Sequence, residues 1–150
     1  MIEATANSTS VKRLLRPRPL ALTLFLMVAT VTAGLTIRLV PLGLPPVVVK
    51  YGGSVLWALL IYWIISALLP SSRLLAVAFI TAALTATIEL IKLHHSPALD
   101  AFRLTLPGIL LLGRFFSLWD ILAYLLAISI GALSDKRVRS IKSEGSWIWK

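Results

Sequence analysis

The sequence predicts an all-α integral membrane protein, a four-transmembrane-helix bundle with a short interfacial or re-entrant segment between helices three and four. Composition is the first ground: of 150 residues 58% are hydrophobic and 14% charged, against about a quarter charged in soluble domains. A soluble core of this size cannot hide so much apolar surface. The second ground is a series of apolar runs, the first just long enough for the ~30 Å hydrocarbon layer. The third is where the net charge of +9 sits. Ten of the fifteen Lys and Arg fall in an N-terminal tail (Lys12, Arg13, Arg16, Arg18), a C-terminal tail (Lys136, Arg137, Arg139, Lys142, Lys150) and one short turn (Arg73). Those are the segments that the positive-inside rule assigns to the cytoplasm. No aromatic-interleaved basic motif accompanies them, so nucleic acid is not an expected partner.

A single membrane domain spanning residues 1–150 follows. Residues 1–19 are polar, then basic, and end Arg16-Pro17-Arg18-Pro19, which stops a helix from the tail entering the bilayer. The first span is 20–37. Its apolar run exceeds the ~7 to 15 residues of a signal-peptide core and lacks a small-x-small cleavage site, so a retained anchor is expected. The linker RLVPLGLPPVVVK, with three prolines and a glycine, ends that helix near the interface. The second span is 50–69, and Pro70-Ser71-Ser72 turns the chain back into the third, 73–91, as an antiparallel hairpin. The outer loop, 92–117, is the least regular part. Ser96-Pro97 reads as an N-cap with proline at the first helical position, opening a short interfacial helix through about Leu104. Pro107-Gly108 is expected to break it, and the following ILLLG is too short to span, so it lies flat or re-enters under cover of protein. The fourth span is 118–133, followed by a basic tail, 134–150, whose Trp147 and Trp149 suit the headgroup level. Both termini are then cytoplasmic.

This topology collects the polar residues in one leaflet. The start of span two brings Lys50 and Tyr51, the end of span three Glu89 and Lys92, and the start of span four Asp120 and Tyr124. The outer loop adds His94, His95, Asp100, Arg103 and Arg114. Helical spacing groups Ala78, Ala82, Ala86 and Glu89 on one stripe, Asp120, Tyr124, Ala127 and Gly131 on another, and Tyr51, Ser54, Ala58, Tyr62 and Ser66 on a third. Small residues let helices approach closely, so these faces are expected to turn inward. A charge facing lipid near mid-membrane costs about 2.5–3.5 kcal/mol, which points Glu89 and Asp120 into the bundle.

Each of these residues also has a plain structural reading. Glu89 could be a helix-locking ion pair with Lys92 or Arg103. Ser117-x-x-Asp120 fits a capping box. Lys50 and Arg114 could be snorkelling anchors. His94 and His95 would point about 100° apart on a helix and show no ligand spacing with Glu89 and Asp100, so no metal site is expected, and no cofactor motif is present. The chain has no cysteine, which removes disulfides, thiol catalysis and cysteine-held metals. Neither a Gly-rich phosphate loop, nor HExxH, nor a nucleophile elbow occurs.

The run KYGGSVLWALLIYWIISALLP, then Glu89 in IELIK, then FRLTLPGILLLGRFFSLWDILAY resembles the bacterial membrane family called domain-of-unknown-function 2809 and, more distantly, the VanZ-like proteins. The third block is the most specific, with Arg103, Thr105, Gly108, Leu112-Gly113-Arg114, Phe116-Ser117, Asp120 and Tyr124 in order. The VanZ-like pattern of a glutamate at a helix end, a following arginine and an aspartate opening the last helix maps onto Glu89, Arg103 and Asp120. Where such proteins often carry glutamine three residues after the glutamate, this chain has Lys92, which can neutralise Glu89 directly. The resemblance implies a small multi-pass protein of the bacterial inner membrane, loosely tied to cell-envelope processes and, in the VanZ branch, to glycopeptide tolerance, with no implied reaction.

The expected function is accordingly an outer-leaflet polar pocket that binds membrane lipid, specifically an anionic lipid or lipid-linked phosphate headgroup, through Lys50, Tyr51, Glu89, Lys92, Arg103, Asp120 and Tyr124. A membrane hydrolase or transferase with Glu89 or Asp120 as general base is the alternative. A structural role, with a homo-oligomer or a membrane partner protein, stays open.

Overall fold

The computed structural model describes residues 19–113 and 115–144, with side chains through residue 138. Arg114, Trp147, Trp149 and the basic residues of both tails before Pro19 and beyond Val138 lie outside what is described. Among the described residues there are six helices and no strand. They are α1 (Leu20–Leu39), α2 (Pro46–Leu68), α3 (Leu74–Ile91), α4 (Pro97–Leu104), α5 (Leu106–Leu111) and α6 (Leu118–Glu144). Four of them, α1, α2, α3 and the stretch Leu118–Val138 of α6, are long and apolar enough to cross a bilayer. The protein is a multi-pass α-helical membrane protein.

Local chemistry sets the helix ends. Pro46 occupies the first turn of α2, where its missing N–H costs nothing, so α2 begins one turn before Lys50 and carries that lysine on its surface. The turn after α2 closes with the Ser72 N–H donating to the Leu69 carbonyl at 3.1 Å. Ser96 caps α4 by accepting from the Leu99 N–H at 3.3 Å, with Pro97 in the first turn. The break expected at Pro107-Gly108 lies instead at Thr105. Its extended backbone ends α4, and its hydroxyl accepts from the Gly108 N–H at 3.2 Å, which opens α5 with Pro107 in the first turn. The ILLLG run is therefore mostly helical and folds back on α4: a Cβ at Gly108 would stand 1.9 Å from the Phe102 carbonyl oxygen. At the far end α6 continues past the apolar run to Glu144, because no Gly or Pro interrupts residues 132–144 and charged side chains are good helix formers.

The bundle is built around α2, which packs against α1, α3 and α6, while α3 also packs against α6. Its apolar core combines Tyr62, Trp63, Val77 and Ile128 in one cluster and Ala58, Tyr124 and Ala127 in another. Tyr62 and Trp63 meet edge-on with centroids 5.2 Å apart. Gly131 sits directly on the Tyr62 ring, where a Cβ would come within 2.7 Å; that glycine lets α2 and α6 close up. On α3 the inward face is one position off the expected alanine stripe. Val77, Thr81, Thr85 and Glu89 are buried, and Ala78, Ala82 and Ala86 are half-buried at its edge. The two threonines remain apolar enough to face the core because each hydroxyl returns to its own helix, Thr81 to Val77 O at 2.7 Å and Thr85 to Thr81 O at 2.9 Å.

Candidate functional site

The end of α1, the start of α2, the end of α3 and the start of α6 lie at one end of the bundle, and α4 and α5 fold over that end. Glu89 is its innermost charge, with no exposed surface. Its Oε2 accepts from Lys92 Nζ at 2.5 Å and from the Tyr124 hydroxyl at 2.9 Å. Its Oε1 accepts from the backbone N–H of Ser117 at 2.8 Å. Both oxygens are occupied by donors from α3, α6 and the chain leading into α6.

That last bond replaces the capping box expected at Ser117. In such a box the acid three residues into the helix reaches back to the first free N–H. Here Glu89, from a different helix, takes that N–H, and Asp120 is released to face elsewhere. Its Oδ1 accepts from the Ser54 hydroxyl at 3.1 Å and its Oδ2 lies 3.6 Å from Lys92 Nζ. Lys92 is thus held between two carboxylates, 6% exposed. Leaving either acid buried without that cation would cost several kcal/mol. Gly113 makes the arrangement possible, since its φ of +70° favours glycine and a Cβ would press to 3.3 Å from Lys92 Cε.

Beside this network opens a cavity of about 540 Å³. Its charged lining is Arg38, Lys50, Lys92 and Asp120, three cations against one carboxylate, set among apolar residues of α2, α5 and the α5–α6 loop. Lys92 is spoken for. Arg38 and Lys50 have no carboxylate partner among the described residues: Arg38 donates only to the Ile109 carbonyl at 3.3 Å, and Lys50 holds its ammonium 5.0 Å from the Tyr51 ring centroid.

The structure therefore brings Glu89, Lys92, Asp120 and Tyr124 into one network, with Lys50 lining the cavity beside it; Tyr51 is not part of that lining and meets the Lys50 ammonium. The structure does not bring Arg103 there. That guanidinium is buried beneath the end of α3, donating to the carbonyls of Ile91 at 2.7 Å and His94 at 3.0 Å and to Asp100 at 3.0 Å. It satisfies the orphan carbonyls of a helix C-terminus and ties α4 to α3. His95 pairs with Asp100 at 3.3 Å on the surface. Among the described residues no group of three or more His, Cys, Asp or Glu is arranged to hold a metal.

Two members escaped the sequence reading: Arg38, treated there as linker, and the Ser117 N–H. Arg38 was recoverable. It closes the first span on the same side as Lys50, and the glycine pair Gly52-Gly53 on the neighbouring helix marks a place where something approaches closely. A Cβ at Gly53 would stand 3.0 Å from Arg38 Nε.

No curated protein and no solved structure matches the chain. A family does match, over residues 43–128, from the loop before α2 into the middle of α6 and so across nearly all of this network. By that match, which takes in more than half its length, the chain belongs to the family described as "Protein of unknown function (DUF2809)".

Proposed function

We propose that the cavity is a binding site for an anionic lipid or lipid-linked phosphate headgroup at the outer leaflet of a bacterial inner membrane, with both chain termini in the cytoplasm. One observation carries this reading: Arg38 and Lys50 meet at an open cavity with no carboxylate paired to them among the described residues, while the nearby acids Glu89 and Asp120 lie against Lys92. Cationic side chains in partly apolar surroundings are what a phosphate headgroup requires. The orientation rests on charge, since Arg73, Lys136 and Arg137 stand at the opposite end of the bundle.

The hydrolase or transferase alternative loses Glu89, whose oxygens are filled by three donors. It would rest on Asp120, which lines the cavity.

The test uses the full chain in nanodiscs of phosphatidylcholine alone or doped with phosphatidic acid. Ligand binding stabilises a fold by about 2.7 kcal/mol at a hundred times Kd, so the anionic discs are expected to raise Tm by several degrees, less so for Lys50→Gln and at high salt. A Tm indifferent to headgroup charge removes the proposal. Asp120→Asn abolishing release of a product from a radiolabelled lipid phosphate would instead favour the enzyme.

A further inference from the structure

The headgroup cavity has an apolar neighbour. A second hollow of about 180 Å³ runs between α1 and α2, lined by Val31, Gly34, Leu35, Leu56 and Leu60, and it shares Arg38, Trp57 and Leu110 with the first. The two adjoin along these three shared residues, and the lining changes character at Arg38. On one side are Lys50, Lys92 and Asp120; on the other are only aliphatic side chains, the Trp57 ring, glycine and the Thr30 hydroxyl, which is already bonded to the Leu26 carbonyl at 2.6 Å.

Resting on the headgroup reading, we infer that the site takes a single-chain stretch of a phosphate-bearing amphiphile, with the phosphate on Arg38 and Lys50 and the hydrocarbon lying in the groove between α1 and α2. Volume sets the scale: an apolar cavity of ~150 Å³ accommodates benzene, so this groove covers about six carbons of one chain and has no room for a second alongside. Two glycines shape it. Gly34 faces Leu56, where a Cβ would be 3.9 Å from Leu56 Cβ, and Gly53 lets the Arg38 guanidinium lie flat on α2 at the junction. Arg38 becomes the pivot of recognition. Its Nη1 is anchored on the Ile109 carbonyl, and its other nitrogens have no hydrogen-bond partner among the described residues. A fork-shaped donor so placed suits a phosphate at the head of an apolar slot. The chain-binding wall is α1, residues Leu20–Leu39, which precedes the segment matched by the family.

The experiment follows the chain directly. Full-length protein in phosphatidylcholine nanodiscs is irradiated with dodecyl phosphate carrying a diazirine at mid-chain, and the labelled residues are mapped by mass spectrometry, with methyl phosphate and unlabelled dodecyl phosphate as competitors. The expected labels concentrate on Val31, Leu35, Leu56 and Leu60, fall with either competitor, and fall about tenfold in Leu35→Trp, which fills the groove from a half-open position. Val31→Trp does the same from the neighbouring turn, so a folding failure in one variant leaves the other. Both tryptophan variants keep the wild-type affinity for methyl phosphate, whereas Arg38→Gln loses it. Labels suppressed by methyl phosphate but spread over lipid-facing positions such as Leu75 and Phe79 overturn the groove and leave the headgroup reading standing. Labels insensitive to both phosphates, with no methyl phosphate binding, overturn both.

Discussion

Glu89 is a fully buried carboxylate whose worth depends on its company. A buried ion pair is weak evidence for stability by itself, but removing one partner of such a pair is costly because the other charge is stranded. Glu89→Gln leaves Lys92 with Asp120 at 3.6 Å, whereas Lys92→Met leaves Glu89 and Asp120 facing each other without a cation. The second change is therefore expected to destabilise more, and the double variant less than the sum of the two, with a coupling of about 1 kcal/mol or more. Thermal unfolding of the four proteins in nanodiscs measures it, and strict additivity would mean that the pair is not a unit. Tyr124→Phe removes one donor from a carboxylate that keeps two others. Its expected cost is about 1 kcal/mol, with no change in the far-ultraviolet helix signal.

At the level of elements, the same carboxylate acts as a cap supplied from outside. The N–H of Ser117 at the head of α6 is satisfied by α3, so the α3–α6 contact and the start of α6 form together. Glycine serves the elements in two different ways. Gly43, with φ +66° and no atom within 4 Å of where a Cβ would sit, needs glycine for its backbone alone. Gly131 needs it for space against Tyr62. Gly43→Ala is expected to cost about 1–2 kcal/mol, from left-handed backbone strain. Gly131→Ala works by overpacking, typically about 1–3 kcal/mol, and it alone should also disturb the Tyr62 hydroxyl bond to Asp135, 3.2 Å in the present packing. Tyrosine absorbance in the near ultraviolet distinguishes the two. An unchanged tyrosine signal in Gly131→Ala would show that α2 and α6 do not meet as closely as described.

Over the whole molecule, the four crossings put the α2–α3 turn and the α3–α4 connection on opposite faces of the membrane. The chain has no cysteine, so single cysteines report cleanly. In intact cells a membrane-impermeant maleimide is expected to label His94→Cys and to reach Ser71→Cys only after permeabilisation; the opposite pattern reverses the proposed orientation, and equal labelling of both in intact cells contradicts the number of crossings. Such topology follows from a one-dimensional property. Hydropathy, the Pro70-Ser71-Ser72 turn and the Ser96-Pro97 cap are each local, which is why four crossings, the hairpin and the start of α4 were legible along the chain.

Local signals failed where two segments compete for one group. Ser117-x-x-Asp120 carries all the marks of a capping box, yet Glu89, 28 residues earlier, holds that N–H. Pro107-Gly108 reads as a break, yet Thr105 ends one helix and caps the next. The alanine stripe on α3 was one position off because threonines that bond their own backbone can face the core as readily as alanine. By itself the sequence determined that this is a membrane bundle whose charged residues sit toward the helix ends, with Glu89, Lys92 and Asp120 on one side and Arg73, Lys136 and Arg137 on the other, since membrane insertion penalises charge and polar backbone in the middle. Only the tertiary structure decided which cation meets which acid: Lys92 between Glu89 and Asp120, Arg103 under the end of α3, and Arg38 and Lys50 left to the cavity. Those pairings depend on how each helix is rotated about its axis, and rotation is set by contacts such as Gly131 on Tyr62 and Gly53 on Arg38, between residues far apart in the chain.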